Sequence, residues 1–235
     1  KDMKYTDKEY CLEVWGPLAC FTRPELKVER VSYEVITPSA ARAIFEAILF
    51  KKYAMRWEIT KIEVLNPIQW TSVRRNEVGA VVSLKTKNLY VEEKRQQKNS
   101  LMLKDVRYRL WAKLIFIPVG NRPKIKAFRN HEPNSSENPM KYYEMFERRA
   151  KQGQSFTQPY LGTRECSAFF RLVDTENEAL HPALSSDEGG NRDLGIILFD
   201  MDFSNPKHIQ AMFYRAEMKE GVIIVPPFNS EEILR

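Results

Sequence analysis

The sequence predicts an α+β fold, and three observations lead there. One amphipathic helical run, residues 39–50, lies between two alternating segments, a strand of unusual length follows, and the closing residues read as short strands joined by polar loops. With 43% hydrophobic residues over 235 positions, the chain has the apolar side chains for a packed core. Its longest largely apolar stretches, residues 44–50 and 114–119, fall far short of a bilayer crossing. No charged start leads into an apolar segment, so no secretory signal is expected.

"YCLEVWG" (Tyr10 to Gly16) alternates and ends in Gly-Pro, the pattern of a first strand. After an irregular, charged loop, Thr37 reads as an N-cap with Pro38 at the first helical position. Ala41, Ile44, Phe45, Ile48 and Leu49 then share one helical face, as in a helix laid on a sheet. Met55, Trp57 and Ile59 alternate into a second strand that turns near Asn66-Pro67. Residues 74–100 read as a long basic hairpin or arm, and "LMLKDVRYRLWAKLIFIP" as the long strand. A polar linker containing His131 precedes a second helix, "MKYYEMFERRAKQG", opened by Asn138-Pro139. "GTRECSAFFRLV" is a further strand, and "DLGIILFDMDF", "AMFYRAEM" and "GVIIVPP" close the chain as an antiparallel group.

Strand, helix, strand, strand, helix, strand is the split βαβ or ferredoxin-like order, shared with RNA-recognition modules. The expected organisation is therefore a ferredoxin-like (RRM-like) domain over residues 1–175 with a basic insertion near 74–100, and a small antiparallel β domain over 176–235.

Charge is concentrated. Between Lys85 and Lys113 stand nine basic residues against Glu92, Glu93 and Asp105, an excess of six that equals the net charge of the whole chain. Such an element is the footprint of a polyanion partner, the alternative being a solvated, lysine-rich hairpin. Alternation places Arg107, Arg109, Trp111 and Lys113 on one side of the long strand and an apolar set on the other. Cations hold phosphates, and an indole or guanidinium plane stacks on a base, so this side suits RNA.

At the end of the first helix, Lys51, Lys52 and Tyr53 either complement the helix dipole or border the face that carries Lys113. In the second case they surround one phosphodiester. RNA is cut without metal when its own 2′-hydroxyl attacks phosphorus, given proton transfer and cations for the developing charge. A tyrosine serves as base only where ammonium groups favour its phenolate. Tyr53 is the candidate base, Lys52 its tuning neighbour and Lys113 the charge stabiliser.

Other chemistry is weakly supported. His131, His181 and His208 sit in polar loop contexts and read as solvated. Asp200 and Asp202 share one strand side and form a sparse divalent-cation candidate, the basis of a rival metal-dependent nuclease acting on DNA. Cys11, Cys20 and Cys166 are scattered and odd in number, as expected of buried thiols in a reducing cytoplasm. No zinc spacing, phosphate-binding Gly-rich loop or nucleophile elbow is present.

"PSAARAIFEAILFKK", "IEVLNPIQWTSVRRNEVG", "RQQKNSLMLKDVRYRLWAKLIF", "QPYLGTREC" and "DLGIILFDMDF" together resemble the CRISPR-associated Cas-five family, in its subtype d of type I-C systems. The resemblance spans nearly the whole chain. It implies a repeat-processing protein of the RAMP class that cuts precursor CRISPR RNA within each repeat, without metal or other cofactor. It also implies that the protein stays on the 5′ handle of the mature guide RNA with the other subunits of the interference complex. Carried over by position, the family's catalytic aromatic falls on Phe50, and its strand histidine on Lys113, after Ala112. Phenylalanine neither gives nor accepts a proton, so Tyr53 substitutes, the base lies elsewhere, or the chain is a non-catalytic guide-capping subunit. Arg74, Arg75, Asn76, Arg95 and Lys98 match family motifs for repeat contacts, and Lys51, Lys104, Arg107, Arg109 and Trp111 complete the RNA-binding candidates.

Overall fold

The computed structural model describes residues 7–26, 28–80, 90–122, 137–203, 205 and 208–235, so His131 and the tip of the basic hairpin lie outside the described residues. The elements are β1 (Lys8–Ala19), α1 (Pro38–Ile48), β2 (Met55–Val64), β3 (Gln69–Val78), β4 (Arg95–Phe116), α2 (Pro139–Lys151), β5 (Phe169–Leu172), β6 (Arg192–Asp202), β7 (Gln210–Lys219) and β8 (Val222–Ile224). This is an α+β architecture on an antiparallel sheet ordered β5-β1-β4-β2-β8-β7-β6, with β3 paired to β4 off that path. β8 joins β2 through Lys61–Ile224 and Glu63–Val222, so the last three strands continue the same sheet as the first five. Among the described residues no helix is long and apolar enough to cross a membrane.

α1 starts where Thr37 and Pro38 dictate. The Thr37 hydroxyl accepts from the Ala40 N–H at 3.3 Å, satisfying one of the helix's unpaired donors. Thr37→Ala is expected to lower stability by about 1 kcal/mol in urea unfolding, the usual value of a lost cap. Ala41, Ile44, Phe45, Ile48 and Leu49 are buried against the sheet. Phe45 and Trp57 meet at 4.9 Å between ring centroids, and Trp57 and Phe146 of α2 at 4.6 Å. Both helices thus cover one face of β1, β2 and β4 through Tyr10, Leu12, Trp57, Leu110 and Leu114.

β4 runs for 22 residues because its two halves have different neighbours. Arg95 to Lys104 pair with β3, forming a two-stranded ribbon, while Leu103 to Leu114 pair with β1 and Tyr108 to Phe116 with β2. The switch falls at Asp105, whose φ of 52° breaks the regular strand. A second constraint sits at Gly162, with φ +86°: a Cβ there would lie 2.1 Å from the Cys20 carbonyl, so only glycine allows this loop to close on the end of β1. Cys11, Cys20 and Cys166 are buried free thiols, and burial, then the Glu63 charge, pushes Cys11 up to about 12.

Candidate functional site

The helix-free face of the sheet carries the cations expected from alternation, but their surroundings differ from the expectation. Each has an acidic neighbour supplied by β1 or β2. Glu13 of β1 is buried and pairs with both Arg107 and Arg171 of β5. Glu63 of β2 lies 2.6 Å from Arg109 and 2.8 Å from Lys61. Arg109 also donates to the His181 carbonyl at 2.5 Å, and its side chain is only 5% exposed. Arg109 was expected as a solvent-facing phosphate contact. It is instead a buried member of an ion-pair network, because the strands beside it each contribute a glutamate in register.

Trp111, expected as a stacking surface, donates its indole N–H to Glu63 at 3.0 Å and carries the Lys61 ammonium 4.0 Å above its ring. The network borders a cleft of about 310 Å³ lined by Glu13, Asn66, Arg107, Arg109, Arg171 and His181, in which opposite charges largely cancel.

Lys113 lies further along the same face, exposed, with Glu9 opposite on β1 and Glu58 opposite on β2. The Lys51-Lys52-Tyr53 turn sits past the end of β4. Helix α1 stops at Ile48, earlier than the sequence suggested, because its last carbonyls are taken by other partners. Ala47 accepts from the Phe156 N–H at 2.7 Å, Ile48 from Arg149 at 2.8 Å, and Leu49 from the Trp57 indole at 2.9 Å. Lys51 and Lys52 therefore lie beyond the last turn, in a tight turn where the Ala54 N–H bonds the Lys51 carbonyl at 3.0 Å. Tyr53 holds a left-handed backbone, φ 65°, with the Lys52 ammonium 5.0 Å from its ring centroid. A non-glycine residue in that region costs of order 1 kcal/mol or more and is held by its surroundings.

Lys52 and Tyr53 are thus together, as expected. Lys113 is not beside them. The Ala54 carbonyl bonds the Ile117 N–H, and Lys113 is four residues back along β4, roughly 13 Å away at about 3.3 Å per residue.

The ribbon sorts its residues by face. Arg75, Glu77, Lys98 and Ser100 point inward, where Arg75 bonds Glu165 at 2.6 Å, Glu77 at 2.8 Å and Ser100 at 3.0 Å. Lys98 reaches Glu77 at 3.3 Å. Burial works against the Glu165 charge, but its own peptide N–H together with Arg30 and Arg75 holds the carboxyl below the ordinary range. Arg74, Asn76 and Arg95 are exposed on the other face, between Trp70 and Leu101 at one end and Val78 at the other. Lys104 is exposed where the ribbon meets the sheet.

Asp200 does not stand ready for a cation: Arg42 of α1 grips both its oxygens at 2.8 Å. Among the described residues no three His, Cys, Asp or Glu side chains gather as a ligand set. His181 and His208 are exposed.

With that geometry in view, sequence comparison is decisive. The family profile described as CRISPR-associated protein (Cas_Cas5), Cas5d, matches residues 9–226. The chain belongs to the Cas5d family. A relative from Mannheimia succiniciproducens, named CRISPR pre-crRNA endoribonuclease Cas5d, is 47% identical over 95% of this chain and 97% of its own length. One from Thermus thermophilus with the same name is 38% identical over 95% of this chain and 94% of its own. Among solved structures, one titled as a CRISPR-associated protein superposes with a TM-score of 0.67 at 23% identity, covering 98% of each chain, which supports the shared fold.

Proposed function

We propose that this Cas5d-family chain is an endoribonuclease of precursor CRISPR RNA. It cuts within the repeat by attack of the RNA's own 2′-hydroxyl, without a metal, and remains on the 5′ handle as a subunit of the type I-C interference complex in the cytoplasm. The observation that carries this reading is full-length similarity, at 47% and 38% identity, to two relatives named pre-crRNA endoribonucleases. We take β1-α1-β2-β4-α2-β5, ordered β5-β1-β4-β2, as a ferredoxin-like unit within residues 1–175. The β3–β4 ribbon is its basic insertion, and 176–235 is an appended antiparallel unit.

Roles follow from placement. Tyr53, with the Lys52 ammonium beside its ring, is the candidate base, and Lys113 neutralises charge on the phosphate oxygens. Bringing Tyr53 and Lys113 to one linkage requires both side chains to extend across the end of β4. On the ribbon, Arg74, Asn76 and Arg95 face the RNA, with Lys104 at its base and Lys51 beside the cut. Arg75 fixes the ribbon to Glu165, and Lys98 pairs with Glu77 across the ribbon, as well as offering charge. Arg107 and Trp111 border the RNA from the sheet, and Arg109 holds the network beneath them.

Incubating the purified protein with a repeat-containing RNA in excess EDTA tests the proposal. A single cut in the repeat is expected, leaving a 2′,3′-cyclic phosphate or its 3′-phosphate product. Tight RNA binding without cleavage assigns a guide-capping role instead. Cleavage restored only by magnesium or manganese refutes the 2′-hydroxyl route.

A further inference from the structure

Phe156 is 86% exposed, the highest value for a large apolar side chain among the described residues. Its backbone is nevertheless anchored, since its N–H donates to the Ala47 carbonyl at 2.7 Å. Gln158, two residues on, bonds the Ala168 carbonyl at 3.1 Å. The ring is therefore presented to solvent from a fixed position at the end of α1. Phe50, three residues past the carbonyl that holds Phe156, is 52% exposed. A single exposed ring is ordinary, but an anchored one beside cations offers a flat apolar surface for a base to stack on.

The charge around these rings says which partner. α2 ends at the same edge, because Arg149 reaches from its last turn to the Ile48 carbonyl. Lys51, Lys52 and Arg148 are exposed, and none forms an ion pair with a described residue, whereas Lys151 acts on the Glu147 and Asp174 carboxylates. On the sheet face, by contrast, Arg107, Arg109 and Arg171 are matched by glutamates. Cations without an ion pair among the described residues, following Phe50 in sequence and beside the Arg149 that bonds Ile48, fit a nucleic-acid strand, with phosphates on the cations and a base on a ring.

We propose that Phe156, with Phe50, is a stacking platform for an unpaired nucleotide of the substrate RNA next to the scissile linkage, its phosphates held by Lys51, Lys52 and Arg148. This rests on the RNA-processing reading and extends it to a loop outside the residues proposed for chemistry. The platform orients the strand as it passes the Lys52–Tyr53 turn, and being flat and apolar it tolerates any base.

The test uses repeat RNA carrying 2-aminopurine at each unpaired position in turn, mixed with the intact protein. Quenching at one position is expected. Phe156→Ala abolishes it, Phe156→Trp retains it, and circular dichroism shows both variants folded. The protein concentration for half-maximal single-turnover cleavage rises about tenfold in Phe156→Ala, the scale of one lost stack. Quenching and tenfold weaker binding of Phe156→Ala in a protein that does not cleave supports the platform while refuting the nuclease reading. The platform is overturned if no position is quenched, or if Phe156→Ala binds RNA as the wild type does. Wild-type RNA binding with lost assembly into the multisubunit complex assigns the patch to a protein partner and equally overturns it.

Discussion

Arg109→Met is expected to lower unfolding free energy by about 3 kcal/mol or more, because it leaves the buried Glu63 carboxyl without its guanidinium partner. The Glu63 side chain is 9% exposed and that of Arg109 5%, so little solvent reaches the carboxyl to replace the lost partner. Lys61, 2.8 Å from Glu63, offsets part of the loss and keeps the effect near the lower bound. The double variant Glu63→Leu/Arg109→Met, which removes both charges, is expected to recover most of the stability. Urea unfolding of wild type, both single variants and the double variant measures the coupling. The same proteins separate two roles for Arg109. A guanidinium bound to an RNA phosphate predicts weaker binding and a smaller salt dependence in a variant that is still well folded. A buried support predicts the reverse, with lost stability and unchanged salt dependence.

The sequence could give the faces of β4 but not their charge balance. Alternation put Arg107, Arg109, Trp111 and Lys113 on one side, and the structure places them there. What neutralises them comes from Glu13 on β1 and Glu63 on β2, distant in sequence and brought opposite only by strand register. A local reading counts the cations and misses the carboxylates. The same blindness affected α1. Thr37, Pro38 and the 3.6-residue spacing gave its start and buried face, which are local signals. Its end depends on Trp57, Arg149 and Phe156, each from another segment, so the sequence carries the helix to Phe50 when it stops at Ile48. On the ribbon, period-two alternation alone would have separated inward Arg75 and Lys98 from outward Arg74 and Asn76. Phe156 carried no signal at all, since a phenylalanine in a polar loop is normally read as buried.

This dependence on register bears directly on the chemistry. Lys113→Ala is expected to slow single-turnover cleavage by about 10²- to 10³-fold while leaving RNA affinity within a few-fold, because a cation aimed at developing charge acts mainly in the transition state. Its stability should be unchanged, since Lys113 is exposed and forms no ion pair with a described residue. Lys113→Arg keeps the charge but spreads it over a planar fork, and should retain only part of the rate. Tyr53→Phe then decides whether the two residues act on one linkage. A loss comparable to that of Lys113→Ala, with little further loss in the double variant, means that the side chains close the gap between the Tyr53 turn and Lys113 once RNA is bound. Full activity in Tyr53→Phe removes the phenol from the mechanism. Glu9 and Glu58 then become the groups to test, because they stand across the ladder from Lys113 and a carboxyl oxygen can take the 2′-hydroxyl proton.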